Sequence, residues 1–287
     1  MDLPPEEFAL IRDLIYARTG LMFEDKKRLF LAPRVSRRVR AARCSGPRDY
    51  YHLLRYSDPD GREFQELVDE VTTNETYFFR DYPQLEFFAN EVLPRVADAK
   101  RAARDHSLNV WSACCSTGDE PYTLAIILAA CLDDFSRWDV KLVGTDIDTK
   151  VLATARAAVY GERNVKDVDP SYLGRYFVPT RGGYRVADPI RRMVAFERVN
   201  LVDDDRMSRQ RGFDFIFCRN ALIYFDDASR KRVLASFHDA LRPGGFVFLG
   251  HSESVGRISR AFEPVQFGPG GVAYRKPGGH RLAAAPT

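Results

Sequence analysis

The chain has 287 residues and the composition of an ordinary globular protein, with 45% hydrophobic and 29% charged residues. Its formal net charge of +3 excludes a general polyanion binder, so any basic surface must be sought locally. No apolar run approaches the ~18 residues of a membrane span, and the N-terminus MDLPPEEFAL lacks the features of a secretion signal. We therefore expect a cytoplasmic protein without membrane insertion.

The five cysteines stand at irregular positions and suggest no disulfide framework, which fits a reducing compartment. Cys114 and Cys115 are adjacent, as zinc ligands sometimes are. No second Cys/His pair follows at ligand spacing, so buried thiols are the favoured interpretation and no metal site is predicted.

Residues 4–57 have apolar residues at helical spacing, and the first helix is expected to stop at Gly20. A further helix is predicted from Glu63 to Val71. The segment Lys26–Arg43 contains eight Lys and Arg residues and no acid. It is either a solvated helix face or a docking surface for an acidic partner.

The segment Thr72–Asp81, TTNETYFFRD, changes abruptly from polar residues to three aromatics and an arginine. One interpretation is a helix cap at Thr73 or Asn74 followed by core aromatics. The other is a lid whose Arg80 pairs with a carboxylate. A helix from Tyr82 to Val96 follows, which gives a helical domain over residues 1–96 and a charged, small-residue linker over 97–107.

The stretch Val110–Leu132 predicts a buried strand, a turn of small residues and a helix. Such a turn lets backbone N–H groups approach a ligand. The next strand ends at Asp146, and an acid about 20 residues beyond the loop is typical of a ribose-binding carboxylate. The centre of the molecule is therefore predicted to bind an adenosine-bearing ligand.

Later strands also end in polar residues, namely Asn200 and the pair Arg219–Asn220. Repeated strand–helix units predict an α/β fold with a mainly parallel sheet, covering residues 108–276. The alternation breaks at about 161–192, where a small β insertion with a turn at Gly182–Gly183 is expected. The tail, 277–287, is rich in Gly, Ala and Pro and is expected to be disordered.

Five ordered motifs closely resemble the chemotaxis receptor methyltransferase (CheR) family: TNETYFFRD, WSACCSTGDEPYTLA, GTDIDTKVL, FCRNALIYFD and LRPGGFVFLGHSES. The resemblance runs from Phe8 to about Lys276. It implies an all-helical N-terminal domain followed by a Rossmann-like methyltransferase domain with a small antiparallel β insertion. It also implies use of S-adenosylmethionine (AdoMet), with S-adenosylhomocysteine (AdoHcy) as product, to convert glutamates of chemotaxis receptors to γ-methyl esters.

The resemblance also implies which residues form the site. Asn74, Thr76 and Arg80 correspond to residues at the methionine end of AdoMet, and Glu120 to one at its amino group. Asp146 is expected to hold the ribose hydroxyls. The remaining positions are expected at the adenine or beside the sulfonium and methyl, and they are Asn200, Leu201, Arg219, Asn220 and Tyr224. Arg80 and Tyr224 are the candidate catalytic residues.

Some features depart from the family pattern or concern its partner. Cys114–Cys115 could crowd the cofactor loop, and Asp119 stands where many members have Glu. The loop at Thr180–Tyr184 looks short, so recognition without a receptor pentapeptide tether is expected. The partner implied is the cytoplasmic helical bundle of a methyl-accepting chemotaxis receptor, docked on Lys26–Arg43 of a monomeric enzyme.

Two other functions share the predicted pocket. A nucleic-acid methyltransferase could use the basic segment on phosphates, but NALIY lacks the prolines typical of base-amine methylation. A non-catalytic AdoMet-sensing scaffold would lose the groups beside the methyl, whereas Arg80 and Tyr224 are both present. Receptor glutamate methylation, without nucleic-acid binding, is therefore the favoured prediction.

Overall fold

The computed structural model describes residues 3–256, 259–268 and 271–278. Its N-terminal part contains the helices α1 (Pro5–Thr19), α2 (Arg28–Ala41), α3 (Pro47–Tyr56) and α4 (Arg62–Val71). Their apolar faces enclose a core of their own. Helix α1 ends at Gly20 as predicted, because glycine tolerates the left-handed φ of 71° that closes the helix.

The next two helices, α5 (Tyr82–Phe87) and α6 (Leu93–Ala102), are joined by a π-helical turn at Phe88–Val92. They pack on the sheet of the second domain rather than on the N-terminal core. Lys100 of α6 also forms an ion pair with Asp214, with 3.0 Å between Nζ and Oδ1. We therefore place the domain border near residue 72 instead of residue 96, and the expected linker 97–107 is helical as far as Ala102.

The strands, in chain order, are β1 (Ser107–Ala113), β2 (Asp139–Asp146), β3 (Val159–Tyr160), β4 (Phe177–Thr180), β5 (Gly183–Val186), β6 (Val194–Arg198), β7 (Phe213–Cys218), β8 (Leu241–Leu249), β9 (Glu263–Phe267) and β10 (Gly271–Arg275). A seven-stranded sheet has the order β6-β2-β1-β7-β8-β10-β9. Pairing is parallel from β6 to β8 and antiparallel at β10 and β9, which confirms the mainly parallel α/β fold.

The remaining helices are α7 (Asp119–Cys131), α8 (Thr149–Ala157), α9 (Pro170–Tyr176), α10 (Asp188–Arg191), α11 (Asp204–Ser208) and α12 (Asp227–Ala240). Strand β7 shows how both sheet faces are covered. Phe215 and Phe217 belong to the core shared with α5, α6 and α7, whereas Ile216 and Cys218 belong to the core shared with α12. Successive side chains point to opposite faces, so a strand between two layers is apolar on both faces, and the exception in β7 is Asp214, which pairs with Lys100.

Strands β3, β4 and β5 form the small antiparallel sheet predicted as an insertion. The hairpin turn lies at Arg181–Gly182, one residue before the predicted position, because Thr180 pairs with Gly183 across the hairpin. The expectation of a disordered tail concerns residues that lie, from 279 onward, outside the described part of the chain. Among the described residues, no helix is long and apolar enough to cross a membrane.

Candidate active site

A cleft of about 1050 Å³ of empty space, including the part open to solvent, lies between the helical domain and the carboxyl ends of the strands. The chain runs from β1 to β2 and β6 on one side and returns to β7 and β8 on the other, and open α/β sheets bind ligands at such a switch point. The cleft is lined by all the predicted site residues, which are Asn74, Thr76, Arg80, Glu120, Asp146, Asn200, Leu201, Arg219, Asn220 and Tyr224.

The turn after β1 has an unusual backbone. Cys114, Ser116 and Gly118 all have positive φ, at 60°, 49° and 92°. Left-handed conformations cost non-glycine residues roughly 1–2 kcal/mol each, and such strain tends to persist at functional sites. At Gly118 a Cβ atom would lie 2.8 Å from Cβ of Ala155, so the turn approaches α8 too closely for any side chain there.

Asp146 ends β2 and is buried beneath this turn. Its Oδ2 accepts a hydrogen bond from the Ser116 N–H at 2.8 Å, and its Oδ1 accepts one from the Asp148 N–H at 2.9 Å. Burial raises the pKa of Asp146 to about 6, against the lowering effect of these N–H groups. The described residues supply no ion-pair partner, so the carboxylate is an acceptor available to a ligand in the cleft.

Glu120 and Arg219 form a buried ion pair, with 2.6 Å between Oε2 and Nε. Ser112 donates to the other Glu120 oxygen at 2.7 Å, and Arg219 Nη1 donates to the Arg80 carbonyl at 2.8 Å. The Arg219 side chain is only 3% exposed. Its charge is therefore balanced by Glu120, and it holds the predicted lid segment in place from within the protein.

In the segment Thr72–Asp81 the aromatics are part of the core as one interpretation expected, but among the described residues neither a helix cap at Asn74 nor an ion pair of Arg80 is present. Phe78 and Phe79 are buried in the core, while Arg80 lines the cleft and donates to the Glu75 carbonyl at 2.7 Å. Asn74 is not a helix cap: its Nδ2 donates to Oδ2 of Asp148 at 2.7 Å, beside the sheet. Arg80 makes no ion pair with any described carboxylate, so its guanidinium can bind an anionic group.

Asn200 and Leu201 follow β6 and also line the cleft. The Asn200 amide donates to the Arg18 carbonyl at 2.7 Å, which ties this wall to the helical domain. Leu201 is buried and offers an apolar surface suited to a flat base. Tyr224 lies across the cleft, and its carbonyl accepts a hydrogen bond from the Met22 N–H at 2.8 Å.

Asn164, in the β insertion, connects two walls of the cleft. Its carbonyl accepts from the Phe78 N–H at 2.9 Å, and its side-chain amide donates to Oδ1 of Asp119 at 2.8 Å. Asp119 is fully buried at the start of α7, and burial raises its pKa. The shorter Asp side chain is thus accommodated at this position by a direct contact with the insertion.

The cysteines of the turn occupy different environments. Cys115 is buried, with its Sγ 3.2 Å from where a Cβ at Gly144 would lie, and burial raises the pKa of its thiol. Cys114 is half-buried and lines the cleft. The site therefore accommodates this pair: both residues line the cleft, and the Cys114 thiol contacts the buried Cys218 thiol.

Several contributors to the site were missed in the sequence. Leu21, Met22 and Phe23 of the helical domain line the cleft. The only signal for them is an apolar run directly after the Gly20 stop. Glu253, which holds the loop after β7, lies within the HSES motif, but nothing in the sequence indicated its contacts.

Comparison with known proteins gives two family matches that together span most of the chain. Residues 6–72 match "CheR methyltransferase, all-alpha domain", and residues 74–269 match "CheR methyltransferase, SAM binding domain", SAM being AdoMet. The border between these matches falls where the two cores meet.

Curated relatives are similar over nearly their whole length. "Chemotaxis protein methyltransferase 2" of Vibrio cholerae serotype O1 is 38% identical over 272 residues, which is 94% of this chain and 93% of the relative. "Chemotaxis protein methyltransferase" of Escherichia coli K12 is 36% identical, and the match covers 91% of this chain and 88% of the relative. The chain therefore belongs to the CheR methyltransferase family, with an all-alpha domain followed by an AdoMet-binding domain.

Proposed function

We propose that this protein transfers the methyl group of AdoMet to glutamate side chains of chemotaxis receptors, which yields glutamate γ-methyl esters and AdoHcy. The observation that carries the proposal is a single cleft that combines a buried carboxylate, a guanidinium without an ion-pair partner among the described residues, and an apolar wall. These groups match the diol, the carboxylate and the base of AdoMet. Relatives named as chemotaxis protein methyltransferases support the choice of pathway.

The residues present fit the cofactor. Asp146 would accept hydrogen bonds from the ribose hydroxyls, since charge-assisted bonds to a buried carboxylate are strong. Arg80 would bind the methionine carboxylate, and Glu120 would face the amino group with lone pairs that Ser112 and Arg219 leave free. Asn200 and Leu201 would border the adenine.

When bound, AdoMet supplies an activated methyl group that forms a bond to the glutamate oxygen while the C–S electron pair remains on sulfur. A receptor glutamate is already ionised at neutral pH, so no residue of this chain has to remove a proton. The protein therefore contributes positioning and exclusion of water. Tyr224 and Asn220, which both line the cleft, would orient the incoming carboxylate beside the methyl.

Some of the cations of Lys26–Arg43 have partners within the helical domain. Arg37 pairs with Glu70 at 2.7 Å, and Arg38 pairs with Glu63 at 2.7 Å. Arg34 lies over the ring of Phe30, 3.6 Å from its centroid. These arginines therefore make their contacts within the helical domain.

The cations of this segment that have no ion-pair partner in the described part of the chain are Lys27, Arg28, Arg34, Arg40 and Arg43. Lys27, Arg40 and Arg43 are also exposed. We propose that these three exposed cations attract the acidic helical bundle of the receptor, chiefly by raising the encounter rate.

Methyl transfer can be tested with labelled AdoMet and a membrane fraction that contains a chemotaxis receptor. Label should enter the receptor and be released by mild base as methanol, because carboxyl methyl esters are base-labile and methylated amines are not. Arg80→Ala, as the matched control, should incorporate far less label. Label that resists base, or appears in nucleic acid instead, would contradict the proposal.

A further inference from the structure

The loop after β7, residues 219–224, carries three of the proposed site residues but little regular structure. Only a short 3₁₀ turn, Leu222–Tyr224, occurs within it. Asn220 has a left-handed φ of 59°, and its side-chain Oδ1 is buried without a hydrogen-bond partner. The side chain of Asn220 therefore does not fix its own position, and something else must hold the backbone.

Glu253 makes those backbone contacts. Its Oε2 accepts from the Asn220 N–H at 2.9 Å and from the Gly250 N–H at 2.6 Å, and its Oε1 accepts from the Ile223 N–H at 3.2 Å. One carboxylate thus joins the loop after β7 to the loop after β8. No Lys or Arg within the described ranges forms an ion pair with it, so the N–H dipoles alone balance its charge.

Gly250 makes this arrangement possible. A Cβ atom there would lie 2.7 Å from the Asn220 nitrogen and 2.8 Å from Oε2 of Glu253. Backbone and carboxylate therefore meet with no space for a side chain. Burial raises the pKa of Glu253, while the three N–H groups act in the opposite direction, as expected for a carboxylate withdrawn from water.

The ends of the loop are anchored separately. Arg219 is held by Glu120, and the Tyr224 carbonyl is held by Met22 of the helical domain. Arg230 of α12 donates to the Leu222 carbonyl at 2.8 Å. Between these anchors, Glu253 is the group that holds the N–H groups of Asn220 and Ile223.

We propose that Glu253 is a positioning residue for methyl transfer, acting through the backbone of Asn220 and Ile223 to hold Asn220 and Tyr224 beside the reacting groups. The inference rests on the proposed function. It predicts that loss of the carboxylate displaces the substrate side of the cleft while the cofactor side, anchored by Asp146, stays in place.

The variant Glu253→Gln tests this, because its amide can accept from one N–H but presents donors to the others. We expect kcat to fall by about tenfold or more, since small displacements of catalytic groups can cost about 10²-fold. Calorimetric titration with AdoHcy should give a Kd within about threefold of wild type and a binding stoichiometry near one, which shows that the loss is not unfolded protein. Glu263→Gln is the matched control, because Glu263 is exposed on β9 and, among the described residues, forms an ion pair with Arg275 alone, at 3.5 Å.

Hydrogen exchange of the wild-type protein keeps the proposal testable if Glu253→Gln does not fold. The amides of Asn220, Ile223 and Gly250 should be protected together although all three lie in loops outside the sheet ladders. Gly250→Ala, which leaves the carboxylate intact, should weaken that protection. Rapid exchange at all three amides, or an unchanged kcat in folded Glu253→Gln, would overturn the inference. Absence of receptor methylation by wild type would instead refute the proposed function and leave the exchange test standing.

Discussion

Replacement of Asp146 by Asn should weaken cofactor binding and remove its pH dependence. Hydrogen bonds to a charged group contribute about 1.5–3 kcal/mol and those between neutral groups about 0.5–1.5 kcal/mol. Two ribose hydroxyls that exchange a charged acceptor for a neutral one should therefore lose about 2–3 kcal/mol, which corresponds to an affinity about 30- to 150-fold weaker. The Asn amide also opposes one of the two N–H groups that Asp146 now satisfies, so some loss of folding stability is expected as well.

The pH dependence follows from the raised pKa of about 6. If the ribose hydroxyls bind the ionised carboxylate, AdoHcy affinity should fall as pH falls through this value, by about tenfold between pH 8 and pH 5. In Asp146→Asn the affinity should be flat over that range. The charge of the neighbouring Asp148 contributes to the raised pKa of Asp146. Asp148 is retained in Asp146→Asn, so any pH dependence of AdoHcy affinity that remains in the variant is due to groups other than Asp146.

Calorimetry with AdoHcy at several pH values, with thermal unfolding to verify the fold, is the appropriate measurement. Asp139→Asn is a suitable control, because Asp139 is an exposed residue at the opposite end of the same strand. Equal affinity of Asp146→Asn and wild type at pH 8 would refute the assignment. The same pH dependence in both proteins would refute the ionisation argument alone.

Three further outcomes are expected. Arg80→Ala should lose most methyl transfer with a melting temperature close to wild type, and Arg80→Lys should recover activity only in part, because an ammonium cannot clamp a carboxylate with two parallel bonds; full activity in Arg80→Ala would remove it from the site. Lys27→Glu with Arg40→Glu should raise the receptor KM several-fold and leave AdoHcy affinity unchanged. The effect should be strongest below ~0.15 M salt, because at that concentration charges more than ~8 Å apart are already largely screened. Identical receptor kinetics at low salt would show that this surface serves solubility only. Asn164→Ala should raise the KM for AdoMet, since it removes the side-chain hydrogen bond to Asp119 and keeps only the backbone contact with Phe78, whereas an unchanged KM would show that this contact of the β insertion does not support the cofactor site.

Residues with a local signal could be predicted from the sequence, and residues defined by distant contacts could not. Asp146 and the turn at Cys114–Gly118 follow from strand–turn–helix spacing, and Arg80 and Glu120 follow from the motifs. The Glu120–Arg219 pair joins positions 99 apart, and no local pattern specifies such a contact.

The domain border was misplaced for a related reason. The periodicity of α5 and α6 indicates that these helices have an apolar face, but not which of two cores receives it. Phe88 lies 5.0 Å from Phe215 and 5.1 Å from Phe217, ring centroid to ring centroid, so the sheet is the surface that these helices cover. Amphipathic spacing predicts that one face of a helix is buried, but it does not specify which surface covers that face.

The cleft wall formed by Leu21–Phe23 has a thermodynamic consequence. A ligand that contacts both domains favours their docked arrangement, by about 2.7 kcal/mol when its concentration is 100 times Kd. A partner that binds the helical domain and alters its contact with Tyr224 and Phe225 would change the affinity of the cleft for its ligand. By reciprocity, the ligand would change the affinity for that partner by the same factor. Ligand concentration and binding of such a partner are thereby linked variables of one equilibrium, and the hydrogen bond from Met22 to Tyr224 lies at the contact between the two domains.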